Sequence, residues 1–103
     1  MELRGKQKRF LRSEAHHYQP IFQVGKGGVN DAMITQIGEA LEKRELIKVS
    51  LLQNTDEVAE DVAAELEAAL GCQVVQIIGR VLVVFKPSPK EKYQRISAKV
   101  REI

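Results

Sequence analysis

The chain has 103 residues, enough for one domain and too few for two with separate cores. Its composition, 44% hydrophobic and 29% charged, is that of a soluble globular protein. No apolar run approaches the roughly 18–20 residues of a membrane helix, and the opening MELRGKQKRF lacks the apolar centre of a signal peptide, so a cytoplasmic location is expected. The net charge of +2 hides an asymmetry: residues 1–29 hold six bases and two acids, residues 30–71 three and ten, and residues 72–103 seven and two. If folding joins the two basic ends, one face suits a polyanion and the other repels it; the plainer reading is that these charges solvate surfaces.

In LRGKQKRFLRSEAHHY, Leu3, Gln7, Phe10, Leu11 and Ala15 fall at helical spacing and leave Arg4, Lys8, Arg9 and Arg12 on the other flank. This predicts an amphipathic helix with a cationic wet side. Pro20 stops it, and Ile21, Phe22 and Val24 predict a short strand ending at Gly25. Asn30 can cap a second helix running to about Arg44, with Ile34, Ile37, Ala40 and Leu41 buried. Gly38 lies in that stripe and permits close approach of a neighbouring element. Leu46 to Leu52 are too apolar for an exposed edge and predict an interior strand.

Asn54 and Glu57 have capping-box spacing ahead of a third helix whose stripe is Val58, Val62, Leu66, Ala69 and Leu70, with Gly71 as a left-handed cap. Its solvent side is acidic. CQVVQIIG and RVLVVFK then form a hairpin across Gly79 and Arg80. Residues 1–87 thus make one α-β-α-β-α-β-β domain, an α/β two-layer sandwich around a four-stranded mixed sheet, with both crossover helices on one side if strands are added in one direction. Residues 88–103 are expected to be a charged tail, mobile or only partly helical.

Chemistry-bearing patterns are few. Cys72 is the only cysteine, which rules out an internal disulfide and a thiolate pair for structural zinc; it reads as a small core hydrophobe. His16 and His17 are adjacent and lack a third ligand, so neither a metal nor another cofactor is expected. His16 is read as capping or packing, and His17 as a donor to phosphate. Acid pairs such as Glu60 and Asp61 have no activating partner, and no nucleophile, base and orienter can be assembled, so no enzyme or small-molecule substrate is expected. Lys48 and Glu45 read either as a surface pair or with Lys48 on a phosphate.

QVGKGGVND is more informative. Gly25, Gly27 and Gly28 permit positive φ and expose amides, Lys26 adds a cation, and a helix N-terminus follows. The spacing is not that of a P-loop or of the dinucleotide fingerprint. It fits the G-x-x-G pattern that clamps a nucleic-acid backbone, and it also fits an ordinary strand-to-helix turn, with Asp31 an awkward neighbour for an anion.

The segments KQKRFLRSEAHHYQPIFQVGKGGVND, IGEALEKRELIKV and VVQIIGRVLVVFKP, over roughly residues 2–87, resemble the chloroplast RNA splicing and ribosome maturation (CRM) domain. They are most similar to its bacterial single-domain form, RNA-binding proteins associated with large-subunit ribosome assembly. The resemblance implies a fold similar to the C-terminal domain of translation initiation factor three and RNA binding through the loop Gly25, Lys26, Gly27 and Gly28. It also places Lys6, Gln7 and Arg12 in the basic first-helix segment, His16 in an Ala-His step, Glu45 to Val49 in the second-strand signature, and Gly79 with Arg80 at the hairpin. The chain departs from the family in ending its last strand Phe-Lys and in its uncovered tail.

Together these readings predict an RNA-binding protein acting on precursor large-subunit ribosomal RNA. Lys26, Lys6, Lys8, Arg9 and Arg12 would neutralise phosphates, with Arg80 and Lys86 as secondary contacts. Five aromatic residues, several of them needed in the core, favour backbone and shape recognition over base stacking. The alternatives are a DNA-binding architectural protein, or an adaptor that uses the acidic third helix to hold another protein.

Overall fold

Amphipathic spacing and turn chemistry translate directly into most elements of the computed structural model, which describes residues 1–103. In chain order they are α1 (Gly5–Ala15), β1 (Phe22–Val24), α2 (Asp31–Arg44), β2 (Leu46–Leu51), α3 (Ala59–Leu70), β3 (Gln73–Ile78), β4 (Val81–Phe85), a short 3-10 turn (Glu91–Tyr93) and α4 (Ile96–Arg101). No helix is long and apolar enough to cross a membrane. Asn30 caps α2 as expected, its Oδ1 accepting the Met33 N–H at 2.8 Å. Gly71 closes α3 at φ 66°. At Gly38 an added Cβ would lie 3.1 Å from Leu70 Cδ2, so the missing side chain leaves room for Leu70 of α3 to pack tightly against α2.

The four strands form one mixed sheet in the order β1-β2-β4-β3. β1 pairs parallel with β2, and β4 is antiparallel to both β2 and β3. β4 therefore lies between the strands that α3 connects, instead of at the end of a simple progression. Its composition explains the central position: Leu82, Val83, Val84 and Phe85 are all buried, whereas β3 carries Gln73, Gln76 and an exposed Ile78 and so suits an edge. A bulge at Val75 pairs Val74 with Val84 and Gln76 with Val83. It keeps Val74 and Ile77 on one face while Val75 points to the other.

Both faces of the sheet are covered. α2 and α3 pack Ile37, Leu41, Val62 and Leu66 onto Ile47, Val49, Leu82 and Val84. On the second face, Leu11 and Ala15 of α1 join Leu46, Val75, Val83, Phe85 and Val100 of α4. The α/β fold with a four-stranded mixed sheet agrees with the sequence; the second face is where the sequence was least informative.

Three expectations are corrected. The segment after Pro87 is partly helical, over Glu91–Tyr93 and Ile96–Arg101, and is docked on the domain instead of standing apart as a tail: Val100 is fully buried, and its carbonyl accepts the Gln7 Nε2–H at 2.9 Å. Two apolar residues one turn apart, Ile96 and Val100, suffice to seat so short a helix because α1 and the sheet already form the rest of the pocket. Glu45 is not a surface partner of Lys48. It is fully buried, and its carboxylate accepts the Ser88 N–H at 2.7 Å, the Ser97 N–H at 3.0 Å and the Ser97 hydroxyl at 2.6 Å. Finally, α3 begins after Val58, so Asn54 and Glu57 make no capping box; Thr55 Oγ1 accepts the Glu57 N–H at 3.2 Å, and Val58 and Ala69 lie exposed.

Candidate nucleic-acid interface

β1, β2 and β3 run in the same direction, so their C-terminal ends share one edge of the molecule. Three connections leave from that edge: the glycine loop after Val24, the segment Leu52 to Val58, and the Gly79–Arg80 hairpin. The loop is a tight turn closed by the Gly28 N–H donating to the Gly25 carbonyl at 3.0 Å. Only Gly28 among its glycines has positive φ, at 67°. Lys26 and Gly27 form the exposed tip, and their amides donate to no protein acceptor. The tip therefore offers two backbone donors and one flexible cation to solvent, beside the N-terminus of α2.

Contacts at the base of the loop hold it in place. Gly25 faces Leu52, whose Cδ1 would lie 3.6 Å from an added Cβ, and the Leu52 N–H donates to the Val24 carbonyl at 2.9 Å. Arg80 reaches across the hairpin: its Nε donates to the Leu51 carbonyl at 3.2 Å and its terminal nitrogen to the Leu52 carbonyl. Arg80 thus stands near the loop while spending donors on the end of β2. Glu57, whose spacing from Asn54 predicts a helix cap, lies instead behind Gly28, with its Oε1 2.7 Å from where a Cβ would be. Asp31 is exposed in the first turn of α2, where the helix dipole favours it.

The first helix supplies the second group of cations. A shallow groove between α1 and the edge strand β3 is lined by Arg9, Arg12, Ser13, His16, His17 and Gln76. Lys6 and Lys8 are exposed on the N-terminal half of the same helix. Gln7 is turned inward, its Oε1 accepting the Arg4 N–H at 2.7 Å, and so supports the helix instead of the groove. His16 is the C-terminal cap residue of α1, its ring edge-on to that of His17 at 5.3 Å. Lys48 projects from β2 onto the same face, with Nζ 3.4 Å from the His16 carbonyl it donates to. Ser13 and Gln76 were missed from the sequence; a glutamine in the otherwise apolar VVQII was the available signal.

Lys86 is placed elsewhere. It follows β4, at the opposite end of the sheet from the glycine loop, and its N–H donates to the Glu45 carbonyl at 2.9 Å. The single side-chain ion pair in the structure joins Lys90 to Glu42 at 3.0 Å, so none of the cations named from the sequence is neutralised by a nearby carboxylate. Cys72 is buried, donates to the Leu66 carbonyl at 3.4 Å, and has its thiol pushed up to about 11, chiefly by burial, so it is inert at neutral pH.

Comparison with known proteins agrees with this architecture. Residues 3–86 match the model of the CRS1 / YhbY (CRM) domain. A Bacillus subtilis protein named "Probable RNA-binding protein YqeI" is 63% identical over 90 residues, 87% of this chain and 94% of that protein. An RNA-binding protein of Haemophilus influenzae is 34% identical over 89 residues, 86% of this chain and 90% of its own. Among solved structures, a Staphylococcus aureus protein described as a candidate RNA binder superimposes with a TM-score of 0.74 at 48% identity, covering 91% of this chain and 98% of that one. A match across nearly the whole domain, joined to identity well above the level at which folds diverge, makes this chain a member of the CRS1 / YhbY (CRM) domain family.

Proposed function

We propose that the chain is a non-catalytic, cytoplasmic RNA-binding protein acting in assembly of the large ribosomal subunit on precursor ribosomal RNA. In this reading Gly25, Lys26, Gly27 and Gly28 take a phosphate of the backbone, while Lys6, Lys8, Arg9, Arg12 and His17 take neighbouring phosphates along α1. Lys48 and Arg80 assist, and Lys86, at the far end of the sheet, serves only an extended RNA. The observation that carries the reading is the exposed tip of the glycine turn, with two unengaged amides and an unpaired lysine beside a helix N-terminus. Such a tip positions a backbone without reading its sequence. The relatives named as RNA-binding proteins support the choice of RNA.

The test is titration of structured ribosomal RNA at several salt concentrations. Affinity should fall steeply with salt, and Lys26→Ala should reduce the slope of log K against log salt by about one. Gly27→Asp should weaken binding at least tenfold with unchanged thermal melting, because a Cβ at Gly27 meets nothing within 4 Å. Equal affinity of Gly27→Asp and the parent would remove the loop from the site. Equal binding of matched RNA and DNA duplexes would favour a DNA-binding role.

A further inference from the structure

α1 is a ridge with two flanks. One borders the basic groove along β3; the other borders a cavity of about 560 Å³ closed on its far side by α4, at the end of the sheet where β2 begins. That volume lies within the roughly 300–1,000 Å³ typical of small-ligand sites. Three cations, Arg44, Arg95 and Lys99, stand around it, and no carboxylate forms an ion pair with any of them. Glu14 is the one acid in the lining; it accepts the Tyr18 hydroxyl at 3.3 Å. The wall is apolar, built from Tyr18, Ile21 and Ile96, and Ile21 is 42% exposed.

We propose that this cavity binds a nucleoside monophosphate unit, which deepens the RNA-binding reading and rests on it where the unit is an unpaired nucleotide of bound RNA. A bare anion would satisfy the cations and leave the tyrosine and isoleucine wall wet. A purely apolar ligand would cover the wall and leave three exposed cations at its rim without a partner. A nucleotide supplies both parts: its phosphate meets Arg44, Arg95 and Lys99, its base packs flat on Tyr18 and the aliphatic wall, and an exocyclic amine or sugar hydroxyl donates to Glu14. The six residues of β2 separate this end from the glycine loop by about 20 Å, so one RNA strand crossing the molecule can meet both. The site also assigns work to the docked C-terminal segment, which contributes Arg95, Ile96 and Lys99.

The test uses amide chemical shifts of the full chain, titrated separately with the four nucleoside 5′-monophosphates, inorganic phosphate, uncharged nucleosides and a single-stranded RNA oligonucleotide. Saturable shifts at Tyr18, Ile21, Arg95 and Ile96 with monophosphates, at lower concentration than with phosphate or nucleoside alone, are expected. The exposed double variant Arg95→Ala, Lys99→Ala should weaken them at least tenfold with unchanged melting. No saturable shift at these positions, an equal response to inorganic phosphate, or an unaffected double variant would each overturn the proposal. The oligonucleotide moving cavity and loop amides together identifies RNA as the source; monophosphates moving the cavity while the oligonucleotide does not identifies a free nucleotide. If RNA moves the loop and monophosphates leave the cavity unchanged, the cavity proposal alone falls. If monophosphates move the cavity and RNA leaves Lys26 and Gly27 unmoved, the loop reading falls instead.

Discussion

Glu45 occupies a left-handed backbone position, φ 65°, where a helix C-terminus ordinarily takes glycine. The conformation costs a non-glycine residue on the order of 1–2 kcal/mol, and three donors to its carboxylate offset that cost. Burial raises its pKa, but the Ser88 and Ser97 donors outweigh burial and hold it below the ordinary glutamate value. A depressed folded-state value contributes stability that is full above the unfolded value of roughly 4.3 and is lost as pH falls through the folded value. Urea midpoints measured from pH 6 down to pH 3 should therefore drop more for the parent than for Glu45→Gln. Glu45→Ala should cost about 3 kcal/mol at neutral pH, since two amides and a hydroxyl lose their acceptor inside the protein. Full stability of Glu45→Ala in urea would show the carboxylate to be dispensable. A sequence alone presents Glu45 as one more acid beside Lys48; only the fold reveals that its partners lie 43 and 52 residues away. The glycine loop, by contrast, was visible as a motif, yet which glycine needs positive φ was not. Gly28→Ala should destabilise by about 1–2 kcal/mol, from the left-handed backbone and the crowding against Glu57, while Gly27→Ala should be nearly neutral in thermal melting.

Among the elements, those with an autonomous signal were legible. Asn30 before α2, Gly71 after α3, and the two β-branched runs around Gly79 each carry local chemistry that forces the local structure. The start of α3 was misplaced because Thr55 and Glu57 are committed to the loop edge, which competes with capping. α4 was illegible because six residues with only two large apolar side chains, Ile96 and Val100, carry too short a pattern to read; its stability comes from tertiary packing. Removing residues 88–103 should accordingly destabilise the rest. The second cluster loses Val100 and Ile96, and Glu45 loses the donors that offset its left-handed backbone, a loss of at least about 3 kcal/mol. Urea denaturation of the truncated and full chains measures it, and matching midpoints would make the segment a passive appendage.

For the whole molecule, the sheet separates the charges. α3, with Glu60, Asp61, Glu65 and Glu67 exposed, lies on one face, and α1 with its unpaired cations lies on the other. The alternating charge blocks in the sequence suggested such a division, but strand order decides it, and the central place of β4 was not readable from connectivity. Because the cations repel one another and have a single ion pair among them, added salt should act in opposite directions. Raising ionic strength to where the Debye length is about 10 Å should leave the free protein as stable or slightly more stable. Over the same range RNA affinity should fall by orders of magnitude. Parallel melting and binding series would expose any shared cause.

The position of β4 also sets an order of events during synthesis. When residues 1–78 have been made, β2 and β3 both exist, yet each has an unpaired edge facing a gap one strand wide. The gap is filled by the most apolar strand in the chain, and neither hydrophobic cluster can close without it, since Leu82 and Val84 belong to one and Val83 and Phe85 to the other, which waits further for Val100. Until Phe85 has left the ribosomal tunnel, the nascent chain carries two open sheet edges and two unfinished cores, the condition in which strands pair with the wrong partner. A single five-residue insertion thus makes folding of the whole domain an all-at-once, late event, and nascent chains halted before Val81 should be protease-sensitive along their entire length.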